Sequence, residues 1–179
     1  MTIVSYRKDK VPSIVLCKCR EVNVGRIGSV MLGYSSLREV EMPVFAIEQA
    51  NAVLADNFAP WVLASGVTAE AVGADAATLR IPFSEQLCRV GGILCGQALL
   101  TGADTAMVIA LAAASGGFKP CTTVDLTINF MRPIAKADAL LEAKVMRLGK
   151  TLAFCTCEIR EAGGTKPAAF STGTYAILG

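Results

Sequence analysis

Apolar residues recur along this chain with two periods, and the switches between them outline its elements. Residues 1–41 alternate short apolar and polar runs without a regular repeat and are read as an N-terminal extension of unassigned structure. From Met42-Pro43 the pattern sharpens. Ile47, Ala50, Leu54 and Phe58 return every three or four positions, which predicts a helix over roughly 44–56 with the proline suited to its first turn. A loop at Ala59-Pro60-Trp61 leads into a predicted strand, Val62 to Val72. A turn at Gly73-Ala74-Asp75 joins this to a second strand, Leu79 to Phe83, where Pro82 suits a sheet edge. Beyond a Gly91-Gly92 loop, Cys95 to Ala114 is apolar on almost every side, as expected of a helix buried all round. Period two then takes over. Val124, Leu126, Ile128 and Phe130 alternate with Thr123, Asp125, Thr127 and Asn129, and further strands are predicted over 139–146, 152–159 and 168–178. One long apolar helix among antiparallel strands predicts an α+β domain over 42–179, a curved sheet wrapped around the helix, with sheet edges that invite a partner subunit.

Composition narrows the chemistry. The 179 residues fit one domain, and the formal charge of +2, unevenly placed with the excess of basic residues in 1–41, is too small for a nucleic-acid groove. The apolar helix is long enough to span a bilayer. It is rich in alanine rather than leucine, however, and carries Asp104 mid-span, which argues for a protein core and no membrane. The seven cysteines are an odd number, and no apolar run near the start is long enough for a signal peptide, so reduced thiols in the cytoplasm are expected. The pairs Cys17/Cys19 and Cys155/Cys157 could imitate a four-thiolate zinc site, but C-x-C on a strand merely points two small side chains the same way, and no metal is expected. Histidine is absent, which removes Ser-His-Asp triads, Cys-His dyads and His-ligated metals; acid–base work must fall to carboxylates, Tyr, Lys or Cys.

A polar stripe crosses the long helix. Gln97, Thr101 and Asp104 are spaced four and three apart and so share a face, with Thr105 beside them. Asp104 is either a structural acid, bonded to backbone or to a partner's arginine, or a working carboxylate. The glycine-rich approach to Cys95-Gly96 leaves free N–H groups at the positive end of the helix dipole, able to polarise a carbonyl oxygen. Nine residues separate Cys95 from Asp104, about 13 Å along a helix. One helix therefore cannot easily apply both groups to one carbonyl, whereas two antiparallel copies across a dimer axis can.

Gly91-Gly92-Ile93-Leu94-Cys95-Gly96-Gln97-Ala98 followed by Ala103-Asp104-Thr105-Ala106-Met107 resembles the H-G-G-x…L-A-D-T-A stretch of hotdog-fold acyl-CoA thioesterases of the phenylacetate-degradation (PaaI-like) type. Thr123 to Leu126, Asn129 to Pro133 and Arg147 to Thr151 resemble that family's later strands and turn, so the likeness runs over roughly 43–178. It implies a hotdog fold, a homodimer that often pairs into a homotetramer, and hydrolysis of acyl-CoA without metal or other cofactor. Asp104 would then activate water or attack the thioester, Gly96 would supply the amide donor, and Thr123 the hydroxyl that holds the water. Two positions depart from the family. Cys95 stands where His is usual, and Arg89 stands where related members carry Asn. A thiol donates weakly, which shifts oxyanion stabilisation to Gly96 and the helix dipole; a Cys95 nucleophile, its pKa lowered by that dipole and Arg89, is the sharper alternative. Gln97, Thr105 and Arg89 are candidate substrate contacts, and Arg132, Arg147 and Lys150 candidate contacts for the CoA phosphates, against the plainer reading of solvated surface charge. A non-catalytic acyl-CoA-binding protein of the same fold remains the alternative function.

Overall fold

The structure, a computed structural model, describes residues 45–178. The extension expected over 1–41, with Cys17 and Cys19, lies outside the described residues.

Helix α1 (Ile47–Asn57) buries Ala50 and Leu54 of the predicted stripe, whereas Ile47 is exposed at its first turn and Phe58 is the C-cap residue. Its Asn51 side chain bonds both backbone groups of Ala69, accepting from the N–H at 3.0 Å and donating to the carbonyl at 3.3 Å, which fastens the helix to the first strand. The strand expected from Val62 is shorter than the apolar run suggests. Pro60–Leu63 forms a single helical turn, α2, and only Thr68–Val72 is strand β1. Proline at the first helical position presets φ, the Ala64 N–H closes onto the Pro60 carbonyl at 2.9 Å, and Val62 reaches the core from the turn. Strand β2 (Ala76–Ile81) pairs with β1 as the predicted hairpin. It lies inside the sheet and stops before Pro82, whose missing N–H could not continue the ladder.

The Gly91-Gly92 loop is the tip of a small ribbon, β3 (Cys88–Arg89) with β4 (Ile93–Leu94). Both glycines hold positive φ, 93° and 69°, backbone that favours glycine. The ribbon delivers the chain into α3 (Gly96–Ala114), followed by β5 (Cys121–Phe130), β6 (Ala139–Leu148), β7 (Leu152–Glu161) and β8 (Pro167–Ile177). All sheet neighbours are antiparallel, in the order β1-β2-β6-β7-β8-β5, and α3 lies across β2, β6 and β7. This is the hotdog arrangement of one long helix held in a curved antiparallel sheet. The helix meets a length-and-hydropathy test for crossing a membrane, yet 61% of that window is buried inside the fold.

Two departures from the periodic reading matter for the site. Helix α3 is not buried all round: Gln97, Leu100, Thr101, Asp104 and Val108, at three- and four-residue spacing, form a stripe that the sheet does not cover. Strand β5 also does not alternate evenly. Its pairing with β8 slips between Thr123 and Asp125, a bulge that removes Val124 from the inner face and leaves it 60% exposed. Thr123 before the bulge and Leu126 after it consequently both face α3, although simple alternation puts them on opposite sides.

The end of β2 and the loop before β6 are joined by charge. Asp138 accepts from the Phe83 N–H at 2.8 Å and from Arg80 Nη1 at 2.9 Å, while Arg80 also pairs with Glu70. The Phe83 amide, then the guanidinium, hold the Asp138 carboxyl below the usual carboxylate range. Because the folded state binds this proton less readily than the unfolded chain, its stabilisation is complete above about pH 4 and is lost as pH falls through the depressed folded value. Asp138→Asn should therefore lower the melting temperature at neutral pH and flatten its fall below pH 4. Melting curves across pH 2–7 check this, and parallel curves for the two proteins would contradict it.

Candidate active site

Asp104 sits midway along α3 on the uncovered stripe. Two hydroxyls converge on one of its oxygens: Thr123 Oγ1 donates to Oδ1 at 3.0 Å and Tyr175 Oη donates to the same Oδ1 at 2.9 Å. Sheet register explains the convergence. Thr123 on β5 is directly opposite Tyr175 on β8, so their side chains project from the same face, about 5 Å apart at their roots. Among the described residues, Oδ2 receives no hydrogen bond. Asp104 borders a cavity of about 220 Å³ whose walls include Phe58, Trp61, Val62, Leu100 and Leu126.

Burial, and then the Asp104 charge, pushes the Tyr175 hydroxyl above the ordinary tyrosine range, so it stays protonated and donates. The same two causes raise the neighbouring Cys121 thiol. Burial, followed by Cys121, pushes Cys155 up to about 12. Cys155 and Cys157 both point into the core from β7. Thiols held protonated in this way are poor nucleophiles and poor metal ligands.

Gly96 opens α3, and the first intrahelical bond runs from the Leu99 N–H to the Cys95 carbonyl, so the Gly96 amide precedes the hydrogen-bonded ladder. Eight residues separate it from Asp104, roughly 12 Å. Cys95 is the N-cap residue; its N–H donates to the Leu87 carbonyl at 2.9 Å, and its side chain caps nothing. Gln97 is exposed on the Asp104 stripe. Thr105 is buried and donates its hydroxyl to the Thr101 carbonyl at 2.8 Å, which engages its one proton within the helix.

The four candidate cations divide between the two ends of the sheet. Arg89, exposed on β3, and Arg132, whose Nη1 donates to the Pro167 carbonyl at 2.7 Å, lie at the end where Phe130 packs on Gly96. Arg147 and Lys150 are exposed about the β6–β7 turn. The register row Leu148–Ala153–Tyr175–Thr123 brings that turn to the Asp104 end, three strand spacings or about 14 Å from Thr123. Within one chain the four cations cannot grip a single phosphate group. Sequence reasoning missed Tyr175; its signal was a phenol at an inward position of a buried strand, where the hydroxyl must find a partner.

The thioesterase superfamily model matches residues 91–168, from the glycines before α3 into the start of β8. A candidate esterase of Saccharolobus solfataricus is 31% identical over 102 residues, 57% of this chain and 71% of the relative. Among solved structures, a candidate thioesterase from a Silicibacter species superposes with a TM-score of 0.69 at 27% identity, over 77% of this chain and 95% of that one. The Escherichia coli PaaI protein from the phenylacetic acid degradation operon superposes with a TM-score of 0.64 at 22% identity, over 75% and 96% of the two chains, a likeness of fold. With the matched segment spanning α3 and β5, whose Thr123 bonds the acid on that helix, this chain belongs to the thioesterase superfamily.

Proposed function

We propose that the protein hydrolyses acyl-CoA thioesters as a homodimer, with Asp104 as the working carboxylate. The observation that carries this reading is an acid on a helix stripe that the sheet does not cover, bonded among the described residues through one side-chain oxygen and bordering an apolar cavity with aromatic walls. Asp104 takes a proton from water as the water oxygen attacks the thioester carbon. The C–S bond then breaks, and the sulfur leaves as the CoA thiol with the proton returned from the acid. Direct attack by the carboxylate reaches the same products through an anhydride that water cleaves. Carboxylate and amide supply this chemistry without a metal or cofactor.

The carbonyl-polarising amide comes from the other subunit, because Gly96 lies roughly 12 Å from Asp104 along its own helix. Strand β5 supports such pairing. Among the described residues it is one of the sheet's two outer strands, it contains no proline, and Val124 and Phe130 on it are more than half exposed. A twofold axis at mid-strand sets the Phe130 end of one copy, with its α3 N-terminus, beside the Thr123 end of the other. Arg89 and Arg132 of one subunit and Arg147 and Lys150 of its partner then fall at the same end of the joint sheet, available to the phosphates of CoA.

Thiol release measured across aromatic, short, medium and long acyl-CoAs tests the reading, alongside mass in solution. Turnover on at least one class by a dimer or tetramer is expected. Tight binding of every thioester without thiol release would make this a binding protein, and an obligate monomer would remove the shared site.

A further inference from the structure

The mechanism above uses the carboxylate of Asp104 but not the buried phenol bonded to it. We infer that Tyr175 is a positioning residue: together with Thr123 it occupies both acceptor sites of Oδ1, which assigns the proton-accepting role to Oδ2. The inference rests on Asp104 being the working acid and adds which of its oxygens reacts and what holds it.

A carboxylate oxygen carries two lone pairs in the carboxyl plane. Oδ1 receives two donors, at 2.9 and 3.0 Å, so a water proton aimed at it would need to displace one of them. Oδ2 has no such occupants among the described residues. Tyr175 is 0% exposed, so it acts on substrate only through Asp104. Its one proton is directed to the side chain: the Asp104 backbone carbonyl, which would satisfy a merely structural phenol, is farther away at 3.3 Å.

The sheet leaves room for this reach at one position. Gly173 and Tyr175 both face inward from β8, and the tyrosine ring extends back over the glycine toward α3. A Cβ at residue 173 would sit 3.0 Å from Tyr175 Cε2, 3.2 Å from its hydroxyl and 2.8 Å from Met107 Sδ. A side chain there crowds Met107 and the phenol together, by a few tenths of an ångström for a single methyl and by more for a larger group, while leaving the hydroxyl chemically intact. Gly173 and Tyr175 thus form one device, in which a missing side chain creates the path for a hydrogen bond.

Steady-state kinetics on the full chain, with its best acyl-CoA, separate this from a packing role. Tyr175→Phe should lower kcat about 10- to 100-fold with KM changed less than about threefold, because orientation is lost and binding is not. Gly173→Val, which keeps the hydroxyl but whose bulk leaves the ring no room over residue 173, should lower kcat in the same way. In an Asp104→Asn background Tyr175→Phe should cost nothing further. Wild-type kcat in Tyr175→Phe, in an enzyme that Asp104→Asn inactivates, overturns the positioning role and leaves the Asp104 reading intact. An additional loss in the Asp104→Asn background also overturns it. Full activity of Asp104→Asn itself overturns the reading beneath it. If Tyr175→Phe fails to fold, as its melting curve would show, Gly173→Val decides the question.

Discussion

Asp104→Asn should lower kcat for thioester hydrolysis roughly 10²- to 10⁴-fold, the range assigned to a positioned general base, while the protein still folds. The substitution is close to isosteric. The asparagine carbonyl can still accept from Thr123 and Tyr175, so the anchoring at Oδ1 survives. What changes is the other position: an amide NH₂ replaces Oδ2 and can neither take a proton nor bond to carbon. A loss of about 10³ in kcat corresponds to about 4 kcal/mol of transition-state stabilisation. Initial rates of thiol release at saturating substrate measure it, and turnover within about threefold of wild type would mean that the acid serves structure alone.

Gly102→Val should destabilise the fold by at least about 3 kcal/mol, lowering its melting temperature by on the order of 10 °C. At Gly102 the absent side chain lets α3 lie close against the sheet. A Cβ there would lie 2.5 Å from Ile81 Cδ1 on β2 and 2.7 Å from Leu141 Cδ2 on β6, terminal methyls of fully buried side chains that could yield only by repacking the core. Alanine would recover about 1 kcal/mol of helix propensity against an overpacking cost of about 1–3 kcal/mol, whereas valine adds two methyl groups and a stiff χ1 to the same clash. Urea unfolding monitored by circular dichroism gives the difference. An unchanged midpoint would mean that helix and sheet stand farther apart than these contacts require.

The stability of that contact and the chemistry of Asp104 belong to opposite sides of one helix, and they differed in how far the sequence disclosed them. Period and composition located α3 to within a residue and marked Asp104 as its anomalous polar group, because an ionisable side chain in an alanine-rich helix violates local patterning. The later strands followed from alternation and glycine turns. Val62–Val72 did not, since an apolar run reads alike as a strand or as a helical turn, and the hydrogen bonds set up by Pro60 decided between them.

The order of elements, the single long helix and the identity of its acid were thus determined by local pattern, which every residue expresses through its own neighbours in the chain. Everything that gives the acid a particular geometry depended on distant segments meeting. Thr123 reaches Asp104 because a bulge shifts β5 by one position, Tyr175 reaches it because β8 pairs beside β5 with a glycine underneath, and the stripe around it stays open because the sheet passes behind the helix. A one-residue change of register reverses the side a residue faces, and registers are selected by the packing of the whole sheet.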